Sequence, residues 1–168
     1  MSDPVISLTQ VHDIATRILR AHDVSAEQAR AVADTVTAAE RDECKSHGLF
    51  RIPGYLKSVT SGKVDGQAVP KIHDVRPGVV HVDAKMGFAP LALEVGAEPL
   101  AQKARAQGIA ALAITDCHHF AALWPETERL AELIQAVHEA ETQTTLPWAR
   151  AFGTAWWNLS DAERTIRI

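Results

Sequence analysis

Apolar positions along the chain recur at two different periods, and the changes between them divide it into elements. Val11, Ile14, Ile18 and Leu19 repeat at helical spacing behind Ser7 and Gln10, a capping-box pair, which predicts a first helix ending near His22. Ser25 and Gln28 repeat the signal. Ala29, Val32, Ala33 and Val36 then share one helical face, so the two helices should form a hairpin across His22-Asp23-Val24. Leu49, Ile52, Leu56 and Val59 predict a third helix from about Ser46 to Ser61, irregular where Pro53 falls.

Beyond Ser61-Gly62 the pattern shortens. Ile72 to Val75 and Val79 to Val82 flank Pro77-Gly78 and predict a hairpin. A long helix follows, with Leu91, Val95, Leu100 and Ala104 as its apolar side, Pro99 as a possible kink and Gly108 as its C-cap. Ile109 to Thr115 is continuously apolar, the composition of a strand covered on both faces. It runs into Asp116-Cys117-His118-His119, where the carboxyl end of a strand in an open α/β sheet collects ligands. Another helix is predicted from Trp124 to His138, with Leu130, Leu133, Ile134 and Val137 inward, while Thr142 to Ile168 shows no clear period. The expected class is α/β: a helical segment (1–62), an α/β segment of a small sheet with flanking helices (63–138), and a divergent tail (139–168).

Charge and composition narrow the partners. Lys and Arg number 17 against 21 Asp and Glu, so a formal charge of -4 offers no electrostatic reason to expect a nucleic acid. No apolar run approaches bilayer length, and Met1-Ser2-Asp3-Pro4 begins neither a basic nor an apolar leader, so a soluble, cytoplasmic chain away from membranes is expected. Cys44 and Cys117 lack metal or disulfide spacing and read as reduced thiols.

The candidate chemistry lies in two stretches. On a helix starting near Ser46, His47 and Arg51 would project from one face, within reach of one small molecule. A guanidinium can hold a carboxylate through two parallel hydrogen bonds, while an imidazole can protonate a neighbouring nitrogen or oxygen, with Ser46 orienting it. An ordinary surface pair at a helix start would show the same spacing. The adjacent His118 and His119 point apart in extended backbone, and no metal-ligand spacing is present, so no metal site is expected. His12, His22, His73, His81 and His138 read as solvated surface. There is neither GxGxxG nor a P-loop, so any nucleotide would be held otherwise. The amides from His119 through Phe120, Ala121 and Ala122 to Leu123 could do so if they open a helix after the strand; the alternative is a packed helix start.

Ser46-His47-Gly48-Leu49-Phe50-Arg51-Ile52-Pro53-Gly54-Tyr55, the turn from Ser61-Gly62 to Asp65-Gly66, and Cys117-His118-His119-Phe120-Ala121-Ala122-Leu123-Trp124-Pro125 resemble the malate/L-lactate dehydrogenase type 2 family. They look most like its branch of Δ1-piperideine-2-carboxylate and Δ1-pyrroline-2-carboxylate reductases. The likeness runs from about Leu8 to Glu132. It implies a homodimeric oxidoreductase with a non-Rossmann NAD(P)-binding fold, of which this chain is an incomplete version. Hydride would pass from NADPH, or NADH, to a cyclic imino acid. By position, Ser46 would belong to a charge relay, His47 would be the proton donor, Arg51 would hold the substrate carboxylate, and His119, Phe120, Ala121, Ala122 and Leu123 would contact the cofactor. A keto acid offers the same geometry, which keeps a malate or lactate type 2-hydroxy acid dehydrogenase as an alternative. Family members continue well past residue 132, so a truncated or frameshifted chain is expected, and an inactive paralogue acting through protein contacts is the other alternative.

Overall fold

A computed structural model describes residues 5–118, 121–142 and 165–167. Strand β1 (Val5–Ser7) leads into α1 (Leu8–Arg20), and the predicted capping box closes there: Ser7 Oγ accepts the Gln10 amide at 3.2 Å, while Gln10 Oε1 accepts the Ser7 amide at 2.8 Å. Helix α2 (Ala26–Arg41) starts on the Ser25 cap and packs back along α1. Val11, Ala15 and Leu19 of α1 meet Ala29, Val32, Ala33 and Val36 of α2 in the first core. That core also takes in Ile52, Tyr55, Val64 and Phe88.

The third helix is shorter than expected. Two 3₁₀ turns, Lys45–His47 and Leu49–Arg51, precede α3 (Ile52–Thr60), so His47 and Arg51 do not stand on successive turns of one α-helix. Gly48 separates the turns with φ -83° and ψ -143°, outside helical geometry. Pro53 is accommodated in the opening turn of α3, where its missing amide costs nothing.

The hairpin forms as predicted: β2 (Lys71–Arg76) pairs antiparallel with β3 (Val79–Asp83), His73 opposite His81. Helix α4 (Ala89–Gln107) then crosses over to β4 (Ala111–Thr115), which lies parallel to β3, giving the sheet order β2-β3-β4. Gly108 caps α4 in the left-handed region at φ 79°, as its position predicts.

Two expectations need correction. The buried side of α4 is mainly a surface of small groups, including Ala89, Ala92, Gly96, Ala97 and Ala101, with Leu91 and Leu93; of the expected stripe, Leu91 is buried and Leu100 packs on the second core, while Val95 and Ala104 are only half-buried. A Cβ at Gly96 would lie 2.6 Å from Leu112, so the helix approaches the sheet more closely than larger side chains permit. Strand β4 is also not covered on both faces. It lies at an edge of the three-stranded sheet and alternates, with Ala111, Ala113 and Thr115 exposed and Leu112 and Ile114 turned toward the second core of Val80, Val82, Ala84 and Ala92.

Helix α5 (Trp124–Thr142) starts at the predicted residue. In the stretch without a clear period, β5 (Thr165–Arg167) pairs antiparallel with β1. Among the described residues no helix is long and apolar enough to cross a membrane.

Candidate active site

The segment carrying Ser46, His47 and Arg51 is held from behind by α2. After the Asp42 C-cap the chain reverses through Glu43 at φ 56°, and the Cys44 amide donates to Ala39 O at 2.8 Å. Glu40 is the buried charged side chain beneath this reversal, and its Oε1 accepts the Leu49 amide at 2.7 Å. A charge-assisted bond to backbone fixes the junction between the two 3₁₀ turns.

His47 is half-buried, with contacts on two sides. Its Nδ1 lies 3.0 Å from Ser46 Oγ and 3.4 Å from Cys44 Sγ, and its ring stands nearly perpendicular to Trp124, at 71° and 6.3 Å between centroids. Ser46 is exposed and Arg51 half-buried, with Arg51 Nε inside the surface. Below Arg51, burial pushes the Tyr55 phenol up to about 12, an effect the Arg51 charge partly offsets. Tyr55 and Phe88 meet edge-on at 5.6 Å, so the Arg51 side of the segment rests on the first core.

The second sequence stretch divides in two. His118 is a tie between elements: its amide donates to Gly87 O at 2.8 Å, its carbonyl accepts the Ala89 amide at 3.1 Å, and its Nε2 lies 3.3 Å from Ser58 Oγ. Its ring also meets Phe88 edge-on. His119 and Phe120 lie outside the described residues. Ala122 is buried, Ala121 is half-buried, and Leu123 is 63% exposed. Ala121, Ala122 and Leu123 precede α5, which starts at Trp124 and not within this stretch. The first turn of α5 contains Pro125, which lacks an amide hydrogen, and Glu126, a negative charge, so it does not suit a diphosphate. Cys117 packs against the second core, where burial raises its thiol, in line with a small hydrophobe.

Residues not singled out by sequence reasoning join the two stretches. Trp124 Nε1 donates to Asp42 Oδ2 at 2.5 Å, Asp42 receives two bonds of 2.8 Å from Arg41, and Arg41 reaches Glu128 of α5 at 2.7 Å. Burial works to raise the Asp42 carboxyl, but the bonds from Arg41 and Trp124 and the Arg41 charge hold it below its ordinary value. Arg41, Glu128 and Arg129 also border a cleft of about 220 Å³ against Asp34 and Leu93, where Arg41 pairs with Glu128 and Arg129 lies 2.7 Å from Glu94. The tryptophan in a loop-to-helix motif was the available signal for this link. Asp42 and Glu40 carried none, because the indole that Asp42 binds is remote in sequence and the partner of Glu40 is backbone.

Four of the five other histidines are better partnered than solvated surface implies, His22 among them with Nδ1 2.8 Å from Ile18 O. His12 bonds Asp34 at 3.1 Å, His73 and His81 stack at 5.2 Å, and His81 Nε2 lies 2.8 Å from Thr115 Oγ1. His22 is exposed, and the side chain of His138 lies outside the described residues. Among the described residues no group of three or more His, Cys, Asp or Glu is placed to hold a metal ion.

This fold is shared with solved dehydrogenases and reductases. The piperideine-2-carboxylate reductase of Pseudomonas syringae pv. tomato superposes with a TM-score of 0.75 at 48% identity, over 77% of this chain and 39% of that one. A malate dehydrogenase from Entamoeba histolytica, at 21% identity, shares the fold with a TM-score of 0.71, over 78% of this chain and 37% of its own. The malate/L-lactate dehydrogenase family pattern matches residues 6–153, and the chain belongs to that family. The match extends past the expected limit near Glu132. A Δ1-pyrroline-2-carboxylate/Δ1-piperideine-2-carboxylate reductase of Pseudomonas aeruginosa is 48% identical over 127 residues, 76% of this chain and 38% of that protein. A Δ1-pyrroline-2-carboxylate reductase of Ancylobacter novellus is 49% identical over 133 residues, 79% of this chain and 39% of its own. The chain thus spans about two fifths of the length of these relatives.

Proposed function

We propose that this chain carries the proton-donor and carboxylate-binding part of an NAD(P)H-dependent reductase of cyclic imino acids, Δ1-pyrroline-2-carboxylate or Δ1-piperideine-2-carboxylate. The observation carrying this reading is the approach of His47 to Trp124, which draws the two motif stretches into one place. Relatives at 48 and 49% identity bear these activities in their names.

The contacts support a role for each residue. Cys44 and Ser46 occupy the Nδ1 side of His47, leaving Nε2 to face substrate and to give its proton to the imine nitrogen. Arg51, behind it on the second 3₁₀ turn, holds the substrate carboxylate through paired bonds, fixing the ring carbon beside it. Ala121 and Leu123 offer the apolar contact for a nicotinamide, whose role when bound is to supply hydride. In this reading NADPH, or NADH in its place, is the reductant, and the chain works in the cytoplasm as a homodimer.

The test is consumption of reduced nicotinamide by the purified chain with each imino acid, with pyruvate and oxaloacetate as keto acid comparators. His47→Ala should lower turnover by about 10²-fold or more. Unchanged turnover in that variant, or no turnover by the native chain with either imine, would reject the reading. Faster reduction of pyruvate or oxaloacetate would replace the imine with a keto acid.

A further inference from the structure

The His47 imidazole is fixed on its own segment at one nitrogen, but a local hydrogen bond leaves a ring free to tilt about it. A second constraint comes from across the molecule. Trp124, the first residue of α5, presents its indole at 71° to the imidazole, a favoured edge-to-face arrangement for aromatic rings. The indole is anchored in turn: its N–H ends on Asp42 Oδ2 at 2.5 Å, and Asp42 is gripped on both oxygens by Arg41. The same Arg41 reaches Glu128, one helical turn along α5, at 2.7 Å. The end of α2 therefore holds the start of α5 at two points, and one of them, the Trp124 indole, meets His47.

We infer that Trp124 is a positioning residue for His47 and that Asp42 acts through it, so the Asp42–Trp124 pair sets the imidazole plane from α2 while Ser46 and Cys44 set its Nδ1 side. The inference rests on the reading of His47 as proton donor, but its physical content does not. Asp42 reaches the imidazole through the indole, a dependence that a role confined to α2 would not create. The arrangement also relates the two distant motifs: a ring held from both sides needs the histidine segment and the α5 start together.

The experiment is NMR of the full chain, without cofactor or substrate, following the ring signals of His47 and the indole N–H of Trp124. Asp42→Ala leaves Trp124 intact but removes its anchor; Trp124→Phe keeps a ring but removes the N–H. Both should shift the His47 ring signals and change the ratio of its tautomers, while His12 and the sheet amides of Val80 and Val82 stay in place. If Asp42→Ala moves the indole N–H and leaves the His47 signals untouched, the inference is overturned. Should Asp42→Ala fail to fold, Trp124→Phe carries the test alone, and an unchanged His47 there overturns it equally. In turnover, either variant should lower kcat by about tenfold with little change in KM. Loss of the NMR coupling rejects this inference whatever the activity, whereas full turnover in His47→Ala rejects the proton-donor reading and leaves the coupling standing.

Discussion

At Gly48 a methyl group would collide with the carboxylate behind it. A Cβ built there lies 2.0 Å from Glu40 Oε1, the oxygen that accepts the Leu49 amide. Gly48→Ala must therefore displace a buried, bonded carboxylate. The expected cost is about 1–3 kcal/mol, and Glu40→Ala, which orphans the Leu49 amide, should cost about the same. The two lesions break one arrangement, so the double variant should be less destabilised than the sum of the singles; urea midpoints of all four proteins measure this, and strict additivity would sink the argument. Arg51→Lys tests the other side of the segment. A lysine keeps the charge but loses the paired bonds to a carboxylate, so KM for the imino acid should rise about tenfold with kcat little changed, read from steady-state kinetics. The residue types of His47 and Arg51 made them candidates from sequence. Their spacing suggested one helical face; the structure places them on separate 3₁₀ turns because Glu40 binds the backbone at the break.

Among the elements, legibility followed how each is stabilised. The starts of α1 and α2 could be read because a capping side chain and its target lie three residues apart, so the whole interaction sits in one short window of sequence. The inward face of α4 could not, since its packing depends on what is missing from the side chains. Alanine and glycine score weakly in any hydrophobic period, yet here they allow close approach of helix and sheet. Gly96 is the sharpest case, with Leu112 Cδ1 at 2.6 Å and Val82 Cγ2 at 3.0 Å from a built Cβ. Gly96→Ala should gain helix propensity but overpack this contact, for a net loss of about 1–3 kcal/mol in thermal or denaturant unfolding. A stabilised Gly96→Ala would show that α4 can lift from β4 at no cost. The exposed face of strand β4 is hidden for a related reason: a continuous apolar run does not reveal how many faces are covered, and Ile109, at its approach, is 81% exposed.

Across the whole molecule, the link between the two motif stretches is hidden because its two halves lie far apart in sequence, with Asp42 separated from Trp124 and Arg41 from Glu128 by most of both cores. That link should make stability depend on acid in a defined direction. Asp42 is held below its ordinary value of 3.8, so the folded chain binds this proton less readily than the unfolded one. Its contribution is therefore fully present above the unfolded value and is lost as pH falls through the lower folded one. Glu132 works in the opposite sense. Burial and then the neighbouring Glu128 raise its carboxyl above 4.5, so it favours the fold in acid and forfeits that contribution as pH rises through its raised folded value. Urea midpoints measured from pH 7 down to the acid range separate the two. Asp42→Asn should lower stability at pH 7 and flatten the fall below the ordinary carboxylate range. Glu132→Gln should raise stability at pH 7 while leaving that fall in place. If Asp42→Asn kept the native acid slope, the carboxylate between Arg41 and Trp124 would not be what ties α5 to α2, and the clamp would have to rest on the Arg41–Glu128 bond alone.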